Sequence, residues 1–436
     1  MAQKFYSTAS ADKFVDLKQA VLRSLPSDKG LYMPAEVPGS DEVLQPGWRD
    51  WSFAELSYRV ASAFFYGSVP EKDLREMVGQ AVNFDAPLVK IAEGMNILEL
   101  FHGPSLAFKD FGARFMARLM GWLTREDDRE LTVLVATSGD TGGAVASAFH
   151  RVQGTRVVVL YPRGKVSALQ EKQLTTLGDN VTALEVSGSF DDCQRLVKAA
   201  FLDERLSEKL NLTSANSINI ARLLPQAFYY FRAAQQMSED AKPVFVVPSG
   251  NFGNLTAGLL ARHMGLPVSH FVAATNLNDV VPAYLRSGHY EPRPSVSTIS
   301  NAMDVGAPSN FVRILELHGR EHRRVVGQIS GFHFDDRATR RAIREVKETT
   351  GYLIDPHGAV GYLAAQQWRR ESGDHEMVIL ETAHPSKFLD VMEDELGPGT
   401  VEIPERLACL ATRDKIAIEM GAEEGSFLDW LSGMIS

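Results

Sequence analysis

This sequence of 436 residues contains few cysteines and no long run of basic residues. Each of these features argues against particular classes of protein. The two cysteines, Cys193 and Cys409, have no zinc-type spacing to histidine, so neither a disulfide framework nor a metal site is predicted. No long basic run offsets the net charge of −10, which argues against nucleic acid as a partner. No apolar run approaches the ~18 residues that span a bilayer, and the first residues lack the apolar core of a signal peptide. We therefore expect a cytoplasmic protein without a membrane partner.

What the sequence does contain is a repeated alternation of strands and helices. Hydrophobic residues make up 44% and charged residues 23% of the chain, as in globular proteins, and the length indicates two or three domains. From about Asn96, short β-branched runs are each followed by a small-residue loop and a helix, as in LTVLVATSGDTGGAVASAFH. This pattern predicts the α/β class, with parallel, twisted sheets covered by helices and ligands at the carboxyl ends of the strands.

Three stretches do not follow this alternation. Residues 1–82 predict a small N-terminal domain, α/β or mostly helical, that precedes a region from 83 to 436. The polar, Pro-rich stretch SGHYEPRPSVSTISNAMDVGAPSNF predicts a loop that could line a site. The residues after Ala408 predict a surface helix and a tail.

Lys109 stands between Phe108 and Phe111 at the start of an apolar-periodic helix, in the stretch HGPSLAFKDFGARFMARLM. An apolar environment favours the neutral amine of a lysine, and a neutral amine can form an imine with an aldehyde or ketone. The alternative is a lysine that buries its stem and reaches water with its ammonium. Lys109 is therefore a candidate catalytic residue, and the rest of the chain decides between these interpretations.

The loop SGNFGN, at Ser249 to Asn254, follows a strand and precedes a helix. Its glycines allow backbone amides to converge on an anion, and the start of a helix adds unpaired N–H donors. The loop has no Lys or Arg and matches neither the Walker A pattern nor GxGxxG, so a phosphate would be held mainly by amides. A tight structural turn is the alternative.

Further polar clusters lie at the same predicted edge of the sheets. One is TSGDTGGA, at Thr137 to Ala144, which offers hydroxyls and Asp140 at the start of a helix. The second is SANSINIARLLPQ, which contains Arg222, and the third is ETAHPSKF, which has Thr382 at the end of a strand. Such groups suit carboxylates and phosphates, although helix caps or a solvated arginine would use the same residues. A ligand with an aldehyde, a phosphate and a ring nitrogen would use the lysine, the loops and Thr382 together. Pyridoxal 5′-phosphate is such a ligand.

At these residues the sequence resembles the fold type II, tryptophan-synthase-β-like, pyridoxal phosphate enzymes, and among them the threonine synthase family of the longer bacterial and fungal type. The resemblance covers nearly the whole length, through DKGLYMP, HGPSLAFKDFG, ATSGDTGGA, NSIN, SGNFGN and TAHPSKF. The sequence departs from the family at Lys29, where a glycine is common. The resemblance implies a family-specific N-terminal domain at 1–82, and two α/β subdomains in 83–436 with the cofactor between them.

The resemblance also implies roles for single residues. Lys109 would form the imine with the cofactor, Thr382 would face its pyridine nitrogen, and the cofactor phosphate would be held by Gly250, Asn251, Phe252, Gly253 and Asn254. The family converts O-phospho-L-homoserine and water into L-threonine and phosphate by γ-elimination and β-addition, the last step of threonine biosynthesis. The freed amine of Lys109 would act as general base and acid.

The small-molecule substrate carries a carboxylate and a phosphate, and several polar residues could hold them. The candidates are Ser105, Ser138, Asp140, Thr141, Asn216, Asn219 and Arg222. Asp140 would repel these anions unless it bonds a donor or is bridged by Lys or Arg. Two other functions stay open: a threonine or serine dehydratase of the same fold, and a relative that binds the cofactor without turnover. The sequence does not predict the oligomeric state.

Overall fold

The computed structural model of the protein describes residues 2–39, 43–203, 206 and 209–434. Within these residues the strands form three sheets. In chain order the strands are β1 Phe5–Ser7, β2 Ser10–Val15, β3 Tyr32–Pro34, β4 Leu88–Ala92, β5 Met95–Glu99, β6 Leu131–Ala136, β7 Thr155–Pro162, β8 Val181–Val186, β9 Leu212–Ser214, β10 Val244–Pro248, β11 His270–Thr275, β12 Ile329–His333, β13 Met377–Glu381 and β14 Ile418–Met420.

Helices connect and cover these strands. In chain order they are α1 Leu17–Arg23, α2 Phe53–Phe65, α3 Glu71–Ala81, α4 Lys109–Thr124, α5 Asp140–Phe149, α6 Ala168–Thr175, α7 Phe190–Leu202, α8 Ile220–Leu223, α9 Ala227–Gln235, α10 Gly253–His263, α11 Val280–Ser287, α12 Phe311–Leu317, α13 His322–Val326, α14 Asp336–Thr350, α15 Pro356–Ser372, α16 Leu389–Leu396, α17 Glu405–Ala411 and α18 Glu424–Gly433. No helix in the described part of the chain has the length and apolar character needed to cross a bilayer.

Two parallel sheets form the centre of the molecule. One has six strands in the order β12-β11-β10-β13-β5-β4, parallel except for the antiparallel pair of β4 and β5. The other has five parallel strands in the order β14-β8-β7-β6-β9. Every residue of β6, β10 and β13 is buried. Apart from Thr132 and Glu381, these strands are therefore apolar throughout and do not alternate between apolar and polar residues. The predicted α/β class with helix-covered parallel sheets is confirmed.

The N-terminal residues form the third sheet, which is antiparallel with the order β2-β1-β3. The sequence pattern did not indicate β1 and β2, because β1 has three residues and β2 is largely exposed. Lys29, ahead of β3, adopts a left-handed backbone with φ of +66°. Such a conformation favours glycine, which gives a physical reason for the glycine that is common there in the family that the sequence resembles.

The C-terminal residues belong to the core rather than to the surface alone. Strand β14 pairs with β8, and helix α18 buries Phe427 and Leu431. The expectation of a surface helix and a tail after Ala408 was therefore incomplete, because a three-residue strand gives no measurable periodicity.

Candidate active site

A cavity of about 300 Å³ lies between the two parallel sheets. It is lined by residues that follow β6 and β9 in one sheet and β10 and β13 in the other. This is the edge at which open α/β sheets bind ligands. The predicted site residues that line it are Lys109, Ser138, Thr141, Asn216, Arg222, Gly250, Asn251, Phe252, Gly253, Asn254 and Thr382.

Backbone pairing places Lys109 next to Thr382. The N–H of Phe108 donates to the carbonyl oxygen of Thr382 at 2.9 Å, and the N–H of His384 donates to that of Leu106 at 3.0 Å. Lys109 is then the first residue of α4, so its side chain leaves the backbone directly beside the end of β13. Two segments that are far apart in sequence thus meet at one antiparallel bridge, between Ala107 and Ala383.

The surroundings of the Lys109 ammonium favour the neutral amine. Burial lowers the pKa of Lys109, the positive charges of Lys387 and Arg222 lower it further, and Asp140 acts in the opposite direction. The Nζ atom lies 3.5 Å from Oδ2 of Asp140 and 5.0 Å from the ring centroid of Phe108. A lysine whose pKa is lowered offers the uncharged nucleophile that imine formation requires.

The negative charge of Asp140 is balanced by a lysine, so this carboxylate would not strongly repel an anion bound nearby. Its Oδ1 lies 2.7 Å from Nζ of Lys387 and accepts a hydrogen bond of 2.9 Å from Nε2 of Gln170. Burial opposes ionisation of Asp140, but the charges of Lys387 and Lys109 outweigh it and hold the pKa of this carboxyl below its usual range. Asp140 contacts Lys109 but is not among the residues that line the cavity.

The loop from Ser249 to Asn254 is held in a tight conformation. A Cβ atom on Gly250 would lie 2.8 Å from both the carbonyl oxygen of Ala302 and Cα of Met303, so only glycine fits there. Phe252 has a φ of +60°, which is uncommon for a residue with a side chain and is typical of functional sites. Helix α10 begins at Gly253, so its first N–H groups are available to an anion at the loop.

Asn254 presents an oriented donor at the same loop. Its Oδ1 accepts hydrogen bonds from the hydroxyls of Tyr229, at 2.7 Å, and Tyr230, at 2.8 Å. This fixes the orientation of the amide, and Nδ2 finds no partner among the described residues. The residue is only 5% exposed and lines the cavity, so its N–H groups suit an anion bound there. The loop therefore fits a phosphate.

Four other residues that line the cavity are candidates to bind the remaining anionic groups of a ligand: Ser138, Thr141, Asn216 and Arg222. Arg222 is buried and donates from Nη1 to the carbonyl oxygen of Ala215 at 2.6 Å. Burial lowers the pKa of its guanidinium to about 10, which leaves it charged at neutral pH.

Asn219 and Ser105 are candidate substrate residues that do not line the cavity, and both make other contacts. Asn219 caps α8 and donates from Nδ2 to the carbonyl oxygen of Val21 at 2.9 Å, so its amide connects α8 to α1. Ser105 receives the Lys387 ammonium on its carbonyl oxygen at 2.8 Å and donates its N–H to Asp110. Neither residue is among those that line the cavity.

Sequence reasoning missed several residues at the cavity. Ser217 accepts hydrogen bonds on Oγ from the side-chain amides of Asn251, at 2.7 Å, and Asn310, at 3.1 Å. His357 accepts the N–H of Ala302 on Nε2 at 3.2 Å. Arg293 comes from the Pro-rich stretch, which lines the cavity as expected. Ser217 lies within the SANSINIARLLPQ motif and Arg293 within the Pro-rich stretch, whereas His357 carried no local signal.

Comparisons with known proteins agree along the whole chain. Family models described as pyridoxal-phosphate dependent enzyme, threonine synthase N terminus and threonine synthase, C-terminal match residues 96–382, 4–82 and 358–426. The threonine synthase of Serratia marcescens is 43% identical over an alignment of 436 positions, which covers 99% of this chain and 99% of that protein. A solved structure of a threonine synthase from Escherichia coli is similar, with 42% identity, a TM-score of 0.92 and coverage of 99% of this chain and 100% of that chain. A solved structure of a pyridoxal-phosphate-bound threonine synthase from Brucella melitensis is also similar, with 35% identity, a TM-score of 0.91 and coverage of 99% of both chains.

Proposed function

Because this chain belongs to the threonine synthase family of fold type II pyridoxal phosphate enzymes, we propose that it converts O-phospho-L-homoserine and water into L-threonine and phosphate. The observation that carries the proposal is that Lys109, the loop Ser249–Asn254 and Thr382 line one cavity. The reaction is a γ-elimination of phosphate followed by β-addition of water, and the enzyme is a carbon–oxygen lyase.

Pyridoxal 5′-phosphate is the cofactor of the family, and the residues at the cavity fit it. The free amide N–H groups of Asn254 and the start of α10 suit its phosphate. Thr382 would face its ring nitrogen, and Lys109 would bind its aldehyde carbon. When bound, the cofactor supplies an electron sink that stabilises carbanions of the substrate.

The residues of the chain then bind the substrate and move its protons. The neutral amine of Lys109 would take a proton from Cα of the substrate and act as acid and base at Cβ. The hydroxyls of Ser138 and Thr141 would donate to the anionic groups of the substrate, and Arg222 would supply a nearby positive charge. Asp140 does not repel these anions strongly, because Lys387 balances its charge.

The domain division and the compartment are further parts of the proposal. We place a domain boundary near residue 82, with two α/β subdomains and the cofactor between them in residues 83–436. The family match at 4–82 and the separate sheets support this division. We place the enzyme in the cytoplasm, in keeping with its two free cysteines, Cys193 and Cys409.

The test is to measure phosphate and threonine formed from O-phospho-L-homoserine by the purified protein, with Lys109→Ala as the control. Equal amounts of both products from the wild type, lost in the variant, would support the reaction and the role of the lysine. Formation of a 2-oxo acid from threonine would indicate a dehydratase instead. Absence of turnover in a protein that shows imine absorbance would indicate a non-catalytic relative.

A further inference from the structure

Lys387 is a second lysine beside the cavity, and the reaction described above gives it no contact with the substrate or the cofactor. It lies in the short helical turn Pro385–Phe388 that follows β13, and its side chain is 0% exposed. We propose that Lys387 is a positioning residue that takes Asp140 as its ion-pair partner and thereby leaves Lys109 as the uncharged amine of the site. This inference rests on the proposed function, because it concerns the lysine that we place at the reacting atoms.

The geometry favours Lys387 over Lys109 as the partner of Asp140. Nζ of Lys387 lies 2.7 Å from Oδ1 of Asp140 and donates to the carbonyl oxygen of Ser105 at 2.8 Å. Nζ of Lys109 lies 3.5 Å from Oδ2, and its side chain is 14% exposed. The shorter contact belongs to the lysine that has no access to water.

The charges around the pair are unequal. One buried carboxylate, Asp140, stands between two amines, so it can balance only one positive charge. The other charged or titratable groups that act on these residues are Arg222, on α8, His357, on α15, and the buried carboxyl of Asp110, on α4, which acts on Lys387 and Arg222. Of these groups only Asp110 can add a negative charge, and its action on Lys387 favours the charged form of that lysine. A charged Lys387 therefore makes a second positive charge on Lys109 costly.

Removing Lys387 should reverse this preference. Asp140 would keep its negative charge and lose its close partner, so the Lys109 ammonium would become its counter-ion. An opposite charge within hydrogen-bonding distance favours the charged form of a group. Asp140→Asn should have the opposite effect, because two amines would then face each other without a carboxylate.

The experiment measures the pKa of Lys109 in the full-length protein freed of cofactor. Trace acetylation with acetic anhydride over a pH series, followed by mass spectrometry of the peptide that contains Lys109, gives the fraction of free amine. Lys387→Met should raise the apparent pKa of Lys109 by about one unit or more, and Lys387→Arg, which keeps the charge, should leave it near the wild-type value. Lys415→Met is the matched control, because Lys415 also pairs with buried or half-buried carboxylates, Glu171 and Glu185, and lies outside the cavity lining.

An unchanged or lowered pKa of Lys109 in folded Lys387→Met would overturn the proposal. If that variant does not fold, Asp140→Asn decides: a fall in the pKa of Lys109 supports the charge arrangement, and a rise or no change overturns it. The labelling needs no substrate, so its result stands separately from the threonine assay. A failure of the proposed reaction would appear only in that assay.

Discussion

The two loops that follow β6 and β10 have the same form and opposite electrostatic character. Each connects a buried strand to a helix through glycine and hydroxyl residues, and each contributes to one cavity. The first carries a buried carboxylate, Asp140, whose charge is balanced by Lys387. The second carries a buried amide, Asn254, whose free N–H groups have no partner in the described part of the chain. The first loop contributes the carboxylate that affects the charge of Lys109, and the second loop offers N–H donors to an anion.

The backbones of the two loops are also held in different ways. In the first, Gly139 has a φ of +136°, and a Cβ there would lie 2.6 Å from Oε1 of Gln170. The hydroxyl oxygen of Thr137 accepts the N–H groups of Gly139 and Gly142, at 2.9 and 2.8 Å. In the second loop, the unusual φ belongs to Phe252, which keeps a large buried side chain. What a loop can bind is therefore determined by the partners of its side chains and not by the strand–loop–helix form that the two loops share.

The largest expected effect comes from Lys109, which lines the same cavity as the two loops. Lys109→Ala should lower kcat for threonine formation by at least about 10³-fold, because it removes both the nucleophile and the general base. The measurement is phosphate and threonine release under saturating cofactor. Lys415→Ala removes a lysine that is 36% exposed and should retain activity near that of the wild type.

The contrast between the loops would fail if Lys109→Ala kept its turnover. In that case the charge balance at Asp140 would serve the fold alone. A variant that is inactive but still shows imine absorbance would point to a different lysine as the attachment site.

Asn254→Asp gives the second loop the charge of the first, and so tests whether the loop binds the phosphate. The carboxylate can still accept from Tyr229 and Tyr230, but it no longer offers N–H groups. A hydrogen bond to a charged group contributes about 1.5–3 kcal/mol, so we expect the affinity for pyridoxal 5′-phosphate to fall on the order of 100-fold, with repulsion adding to this loss. The measurement is cofactor binding by absorbance titration.

Pyridoxal, which lacks the phosphate, is the control ligand for this variant. Its binding should change little between the wild type and Asn254→Asp. Equal losses for both ligands would show that Asn254 acts on the cofactor as a whole or on the fold, and not on the phosphate. Tyr230→Phe removes one of the two bonds that orient the amide and should cost less than Asn254→Asp.

Local patterns in the sequence predicted much of this arrangement. The start of α4 at Lys109 and the loop before α10 follow from periodicity and glycine placement, which are features of neighbouring residues. The pairing of Lys387 with Asp140 and the use of Asn219 to hold α1 depend on segments distant in sequence, which local patterns do not reveal. The strands β1 and β2 were missed because a three-residue strand and a largely exposed strand have little periodicity.

Asp110 tests whether the lysine partner makes Asp140 unusual. Among the described residues the buried carboxyl of Asp110 has no ion-pair partner, although the charges of Lys387 and Arg114 act on it. Burial raises the pKa of Asp110 from 3.8 to about 6. The folded state then binds this proton more tightly than the unfolded state, so its contribution to stability is lost as the pH rises from about 4 to about 6. The loss amounts to roughly 3 kcal/mol.

Asp110→Asn removes this titration. The free energy of unfolding of the variant, relative to wild type, should therefore increase between pH 4 and pH 7. Urea denaturation at a series of pH values measures this difference. A difference that does not depend on pH would mean that Asp110 has the same pKa in the folded and the unfolded protein, so that neighbouring groups offset the effect of burial.

The smallest effects are expected for the hydroxyls of the first loop, Ser138 and Thr141. Each would contribute one hydrogen bond to an anionic group of the substrate, and a single net bond contributes about 1 kcal/mol. Ser138→Ala and Thr141→Ala should therefore each raise KM for O-phospho-L-homoserine by roughly 5-fold, with cofactor affinity unchanged. Ser287→Ala is the control. The hydroxyl of Ser287 donates to the carbonyl oxygen of Ala283 on α11, and Ser287 does not line the cavity. If both loop variants kept the wild-type KM but bound pyridoxal 5′-phosphate more weakly, the first loop would also contact the cofactor, and the division of roles between the two loops would be wrong.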